Sequence, residues 1–488
     1  MQQQARPLHR SSAANIQALQ ETFSDNASFV TRDLSCRTGP DRAAFAYLDV
    51  LVDEKLLHQN VIRKMNEDLE LPYDQFDLKV LGSLYSAGKV EVIDDWSAVP
   101  EFLYQAGAVL FVDGHPCVYG ILMPGYDTRS IGEPKIEVNV RGPRDSFIED
   151  HDKNLSMIYR RLKTSDLKSL SYIIGTQSRT KVTLLYMEGK MDRELAAKLR
   201  RKLADFQCDV LLANTQIEEL IQDSAYSPFP QIANTERPDR VVTSLSRGKA
   251  VILTDGTPIA LIAPTTFFEM LHPSEDMYER FHFANFIRII RTITLFISLF
   301  GPSLYIALTT FHLEMIPTPL MMAFLTSKAG IPFPTFVEAL IMETAFEILR
   351  EASLRLPKVV GQSVSIVGAL IIGEAAVQSG IVSRPVVIVV AMTGISSFTI
   401  PSFGTALSIR LLRFPLMLLA SYAGVLGMAL GFLVLLLHLC SLHSIGVPYL
   451  NPISADGWKK TLQNYVRLPA RLRNGTGSRE PDYDKNIP

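Results

Sequence analysis

The chain is poor in the residues that would mark a disulfide scaffold, a metal protein or an electrostatic binder of nucleic acid. Its four cysteines, Cys36, Cys117, Cys208 and Cys440, are far apart, with no CxxC and no metal-ligand spacing. That argues against a disulfide framework and fits a reducing surrounding for the soluble part. The formal net charge is -2, so no basic excess draws the chain to nucleic acid or anionic lipid. There is no phosphate-binding Gly-Lys-Ser loop, no HExxH and no GxSxG; no catalytic residue, cofactor site or metal site is assigned. The nine histidines are scattered, and His282, His312, His438 and His443 fall at the edges of apolar stretches, where packing is the plain reading. Residues 1–30 are polar and lack the apolar core of a signal peptide. They are expected to be disordered, and the region up to Asn285 is expected not to be exported.

What the chain has is a long apolar second half. Thr292–Leu308 and Pro385–Ser408 are uncharged, and Phe414–Cys440 carries only His438. A helix needs about 20 apolar residues to cross a bilayer. A fourth run, Val359–Val382, has Glu374 as its single charge, which would cost about 3 kcal/mol facing lipid. Met315–Thr326 is apolar but short and holds Pro317 and Pro319; it reads as re-entrant or interfacial. Pro334–Leu356 reads as an amphipathic helix on the bundle surface or between subunits, with Glu338, Glu343, Glu347, Arg350, Glu351 and Arg355 set against Phe336, Leu340, Ile341, Phe346 and Leu349. Arg288 and Arg291 precede the first span, and Lys459, Lys460 and Arg467 follow the last. The excess of positive charge on cytoplasmic loops then places both ends inside, with an even number of crossings. Arg410 and Arg413, before the last span, argue the other way. Four full spans plus the short segment are favoured.

The first half mixes helical and strand-like patches. Arg42–Leu57 spaces Phe45, Leu48, Val52 and Leu56 as one helix face. Ala108–Val112 and Cys117–Leu122 flank Asp113-Gly114 and read as a hairpin, since Asp-Gly suits a tight primed turn. The device recurs at Gly248–Pro258, around Asp255-Gly256. Two hairpins of one design suggest two α/β subdomains; chance similarity is the alternative. Asp145–Leu162 is expected to open the second subdomain as a helix, followed by a strand at Lys181–Met187 and helices at Met191–Phe206 and Ile217–Ile221, the last stopped by Ser227-Pro228-Phe229-Pro230. Arg141-Gly142-Pro143-Arg144 is either an anion cradle at a helix N-terminus or a turn with paired surface arginines. Asp94-Asp95 and Asp239-Arg240 read as solvated loop charges. The expected division is a disordered 1–30, α/β subdomains at 31–140 and 141–285, a helical transmembrane region at 286–445 with its amphipathic helix at 334–356, and a cytoplasmic tail at 446–488.

Val359–Val382 carries the sharpest pattern. One helical face holds Gly361, Ser365, Gly368, Ile372, Ala376 and Ser379, small enough for close helix approach. Another holds Ser363, Val367, Leu370, Glu374 and Gln378, with Val364 beside it. That face is polar at its ends and apolar between, the profile of a pore helix with a dewetting constriction at Val364 and Val367 and a charged ring at Glu374. A bundle-interior Glu374 bonded to Ser or Thr neighbours is the alternative, and both stay open. Gly427 and Gly431 form a GxxxG packing pattern in the last span. No motif supports a membrane-anchored enzyme. A few spans with one charge-bearing helix favour an oligomer around a shared path over a stand-alone transporter.

Several motifs fall in the order of a known family. Arg141-Gly142-Pro143-Arg144, Ser227-Pro228-Phe229-Pro230 and Thr235-Glu236-Arg237-Pro238-Asp239 resemble the signature of the A subunit of GerA-type spore germinant receptors. So do Leu308–His312, Glu314–Thr318, Pro332-Phe333-Pro334, Phe346–Ala352 and Val364–Leu370. Two stretches depart from the family pattern. Gly373–Gly380 swaps the usual acidic and amide positions, with Glu374 first and Gln378 second, and Ser327–Gly330 replaces the usual Arg-Glu-Gly. The resemblance implies a subunit in the inner membrane of dormant bacterial spores, its soluble region of two α/β subdomains on the core side. It implies a homo-oligomeric ring, a pentamer, acting as a nutrient-gated cation channel. It also implies a transporter-like B subunit that binds the nutrient and a lipoprotein C subunit as partners. A non-conducting signalling receptor or transporter subunit of the same complex is the alternative.

Overall fold

The computed structural model describes residues 8–35, 42–63, 90–125, 134, 137, 141–357, 368, 373–451 and 466–467. They form two compact units. One takes the described residues through Gln222 and Ile232–Pro264; the other takes Asp223–Gln231 and those from Thr265 onward.

The first unit holds two five-stranded sheets built to one plan. In the first, β1 (Phe29–Ser35), β2 (Arg42–Leu48), β3 (Val90–Ile93), β4 (Gly107–Val112) and β5 (Val118–Leu122) lie in the order β1-β2-β4-β5-β3. In the second, β6 (Leu167–Ile174), β7 (Thr180–Met187), β8 (Ala233–Thr235), β9 (Ala250–Thr254) and β10 (Ala260–Ala263) lie in the order β6-β7-β9-β10-β8. All the ladder pairings are antiparallel. Helices α1 (Ser12–Thr22) and α3 (His151–Tyr159) precede the first strand of each sheet; α2 (Ala98–Tyr104) and α6 (Pro238–Ser246) precede the fourth. Between them run α4 (Arg193–Ala204) and α5 (Asn214–Ile221).

The likeness reaches single hydrogen bonds. Asn15 on α1 accepts from His9 N and donates to His9 O; Asn154 on α3 does the same with Ile148. Each Asp-Gly turn receives the start of its helix: Ser12 N donates to Asp113 Oδ1 and Gly114 N to Arg10 O, while His151 N donates to Asp255 Oδ1 and Gly256 N to Glu149 O. Two unrelated hairpins would not share these clasps, so the repeat expected from the Asp-Gly pairs is a repeat of the whole sheet. Both turns put their glycine at positive φ, 87° and 78°, where an L side chain is strained. The loops are longer than the two-residue turn expected. The sheets meet at a parallel bridge, with Ala27 N on Ser169 O and Ser169 N on Asp25 O, both 2.9 Å.

Three local expectations need correction. Residues 12–22 are helical, not disordered: Ile16, Leu19 and Phe23 are buried at helical spacing. Of the helix expected over 42–57, only Glu54–Leu57 is helical, and residues 42–48 are strand β2. Ala43, Phe45 and Tyr47 join one core cluster with Leu57, Val61 and Ile62, while Ala44, Ala46 and Leu48 are equally buried on the other face. A strand covered on both faces loses its alternation, and its apolar residues then fit a helical period by accident. The helix expected from Asp145 starts at His151, because the Asn154 clasp ties down the backbone of Ile148 and Asp150, in extended conformation, caps Asp152 N and Lys153 N.

The second unit is helical: α7 (Phe281–Thr310), α8 (Thr318–Lys328), α9 (Thr335–Arg355), α10 (Arg384–Ser397) and α11 (Phe403–Ser441). α7 and α11 are long and apolar enough to cross a membrane. α11 is not one straight rod. Ala423 and Gly424 leave helical geometry, Gly424 at φ 58°, ψ -137°, a conformation that suits glycine. A side-chain carbon at Gly431 would lie 2.6 Å from Leu416 Cδ2, and one at Gly427 would overlap the Leu419 carbonyl. Leu439 shares a core cluster with Ala406 and Ile409. The two arms, 403–422 and 425–441, therefore fold back on each other. The span expected at Phe414–Cys440 straddles this fold. The prolines of the short segment sit at its start, Pro317 as cap and Pro319 in the first turn, where a missing N–H costs nothing.

Candidate functional site

The ionic groups of the helical unit converge on α9. The helix forms where expected, but the side it buries is acidic: Glu338 and Glu343 are 0% exposed, whereas Ile348 and Leu354 are 64% and 65% exposed. A soluble amphipathic helix turns the other way; charges face inward where the surroundings are apolar. Glu343 Oε2 accepts from Arg413 Nη1 at 2.5 Å. Arg413 also donates from Nε to Ser298 O at 2.8 Å and from Nη2 to Ser298 Oγ at 3.1 Å, so one guanidinium ties α11 to both α7 and α9. One turn along, Glu347 pairs with Arg350 and lies 3.7 Å from Arg410 Nη1. Toward the start of α9, Glu338 Oε2 accepts from Ser383 N at 2.8 Å. Ser383 is the N-cap of α10, so this carboxylate meets the positive end of a helix dipole.

All three acids leave Oε1 without a hydrogen-bond partner among the described residues. Burying each ion costs several kcal/mol, recovered only while the partner geometry holds. The layer therefore specifies one register of α7, α9, α10 and α11 and resists sliding. Arg410 and Arg413, read from sequence as loop charges that argue against even parity, are instead buried within α11 and say nothing about orientation. Sequence reasoning missed the layer; its signal was two arginines four residues or fewer from uncharged apolar sequence on either side.

Of the residues singled out for pore or gate, Ser363, Val364, Val367 and Leu370 lie outside the described residues, as do Gly361 and Ser365. Glu374 is helical and exposed, and its carboxylate accepts from Gln378 Nε2 at 2.9 Å. A side-chain carbon at Gly368 would lie 2.6 Å from Leu349 Cδ2 on α9. Gly427 and Gly431 serve packing between the arms of α11 within one chain.

In the first unit, Asp239-Arg240 is not a solvated loop pair. Arg237 is fully buried and donates to both oxygens of Asp239, at 3.0 and 2.8 Å, and to Pro143 O at 3.1 Å. Arg240 Nη1 reaches Glu137 Oε1 at 2.5 Å. Arg141–Arg144 thus lies beside an internal ion pair and not at a helix N-terminus, so the anion cradle lacks the helix it needs.

Comparison with known proteins finds relatives along most of the chain. The family described as Bacillus/Clostridium GerA spore germination protein matches residues 17–477. The uncharacterized membrane protein YfkQ of Bacillus subtilis (strain 168) is 43% identical over 436 residues, 89% of this chain and 85% of its own. Spore germination protein KA of the same organism is 39% identical over 467 residues, 94% of this chain and 86% of its own. Spore germination protein GerLA of Bacillus cereus is 36% identical over 434 residues, 88% of each chain. A crystal structure of the N-terminal domain of the A subunit of the Bacillus megaterium spore germinant receptor GerK3 is 27% identical and spans 54% of this chain and 99% of its own, with a TM-score of 0.42. The chain belongs to the GerA family of spore germination proteins, the A subunits of germinant receptors.

Proposed function

We propose that this chain is the A subunit of a nutrient-responsive germinant receptor and conducts cations through a path shared between copies, a pentameric ring, in the spore inner membrane. It acts there without enzymatic chemistry, its first unit on the core side, together with a transporter-like B subunit and a lipoprotein C subunit. The observation that carries the reading is Glu374. Glu338 and Glu343 are buried and hydrogen-bonded, but Glu374 is exposed, with Gln378 as its one hydrogen-bond partner among the described residues. An outward carboxylate on an apolar helical unit needs water or another copy beside it, and a ring of such groups around water attracts cations. Val364 and Val367 then form the apolar constriction that closes by dewetting.

Ion flux through reconstituted A–B–C complexes, with and without a mixture of amino acids, sugars and nucleosides, tests this. Glu374→Gln lowers cation flux or selectivity. Val364→Ala or Val367→Ala opens the path without nutrient at unchanged protein level. Cysteines placed in 334–356 give crosslinked ladders above a dimer. Complexes that respond to nutrient yet pass no ions would leave the non-conducting receptor or transporter subunit as the reading.

A further inference from the structure

We propose that a small two-stranded ribbon after α11 is the clamp that seats the segment Asp223–Gln231 on the α11 hairpin and so sets the spread of its arms. The ribbon consists of β11 (His443–Ser444) and β12 (Val447–Pro448). The chain passes between units at three places: after Gln222, after Gln231 and after Pro264. Inside the helical unit, the residue at each of these places is bound to the ribbon. Asp223 Oδ2 accepts from Gly446 N at 2.7 Å. Gln231 O accepts from Ser444 Oγ at 2.5 Å, and the same hydroxyl accepts from Thr265 N at 3.0 Å. Ser444 is fully buried, so one hydroxyl spends its donor and an acceptor on two crossings at once. Tyr449 repeats the pattern: its Oη donates to Pro230 O at 2.7 Å and its carbonyl accepts from Phe267 N at 2.9 Å.

The ribbon turn is held under tension. Ile445 and Gly446 have φ of 53° and 92°, as a primed two-residue turn requires. A buried β-branched residue rarely adopts that conformation. Such strain persists only where surrounding contacts over-determine it, and here those contacts are the three ties.

What the ribbon holds in place is a strap, Asp223–Gln231, seated across the open end of the α11 hairpin. Gln231 Oε1 closes the strap on Asp223 N and Ser224 N at 2.9 and 3.0 Å. On the first arm, Ser408 Oγ donates to Pro228 O, and Pro230 lies on Gly404. On the second arm, His438 Nε2 is 3.0 Å from Ser227 Oγ. Phe229, 2% exposed, fills the core between Ile409 and Leu439. The hairpin's closed end sits at Phe311 and His312. A shift of the strap therefore spreads or closes the arms at their open end, and the first arm carries Arg410 and Arg413, which hold α9. The inference rests on the nutrient-responsive reading for its output, not on which subunit conducts.

The test locks the strap. A side-chain carbon at 404 would lie 3.4 Å from Pro230 Cβ, close to the roughly 3.5–4.5 Å of a disulfide. Gly404→Cys with Pro230→Cys, in a background whose four native cysteines are serine, is expressed with its partner subunits in spores. With the nutrient mixture above, germination should slow at least tenfold when the pair is oxidised and recover on reduction. Equal rates with the disulfide fully formed overturn the proposal. Should the pair disrupt folding, Ser444→Ala decides: it should raise the half-maximal nutrient concentration at least threefold, with ion flux at saturation unchanged, and an unchanged half-maximal concentration overturns the proposal. Absence of flux in reconstituted wild-type complexes would sink the channel reading alone, because the spore comparison does not depend on which subunit conducts.

Discussion

Arg413 shows most plainly how a single residue decides this structure. Its three nitrogens are all committed, two to Ser298 and one to Glu343. Removing one partner of such a pair strands a buried charge, so Arg413→Ala should destabilise the helical unit by about 3–5 kcal/mol. Arg413→Met combined with Glu343→Leu should recover most of that loss, since apolar groups of similar volume replace a buried pair at little cost. Thermal unfolding in lipid nanodiscs checks both; a single variant as stable as wild type would show that the pair contributes nothing.

Asp49 offers a second test, outside the helical unit. Burial pushes its carboxyl up from 3.8 to about 6, only partly opposed by the attraction of Lys181. The stabilising form is the neutral one, so its contribution is full below about 3.8 and is lost as pH rises through 6. Asp49→Asn should therefore leave stability unchanged at pH 4 and raise it by about 1–2 kcal/mol at pH 7.5, a discounted figure for a group partly open to solvent. His272 runs the other way. Burial, reinforced by Arg288, pulls it down to about 4, so its contribution is present above 6.5 and is lost as pH falls through 4.

At the scale of elements, α11 is the decisive case. A straight helix of 39 residues would be about 58 Å long at 1.5 Å per residue, far beyond a bilayer core of about 30 Å. Folded at Gly424, its first arm is close to that thickness and both ends come to the same side. A cysteine at Ser402 and the native Cys440 should then react with an impermeant maleimide from the same face of sealed vesicles. Labelling from opposite faces would mean that the helix crosses once. The fold also turns the one crossing expected at Phe414–Cys440 into an even number, so the four-span count favoured from the sequence does not carry over unchanged.

At the scale of the molecule, the helical unit takes nine residues from within the sequence of the first unit. A fragment ending at Pro264 keeps every strand of both sheets but loses the partners of Asp223–Gln231. Phe229 packs in a core cluster of the helical unit. Backbone amide exchange at Phe229 should therefore be fast in the fragment, with the sheet amides still protected, and slow in the full chain. Protection of Phe229 in the fragment would show that the strap folds with the first unit.

Much of this protein could be read from local pattern, because the relevant forces act over a few residues. Apolar run length announced a membrane-sized second half, and Asp-Gly turns announced both hairpins and, through their recurrence, a repeat. Ordered motifs such as Ser227–Pro230 and Thr235–Asp239 announced the family. The tertiary structure decided what depends on partners distant in sequence. Burial on both faces made 42–48 a strand despite its helical spacing. The close approach of Leu416 and Leu419 to Gly427 and Gly431 made one apolar run into two arms. Ser298, Arg410 and Arg413 turned the acidic side of α9 inward, since a charge in an apolar unit is stable only where its counterpart waits. The three ties at Ser444 and Gly446 join residues some two hundred positions apart, and no window along the chain contains both ends of such a bond.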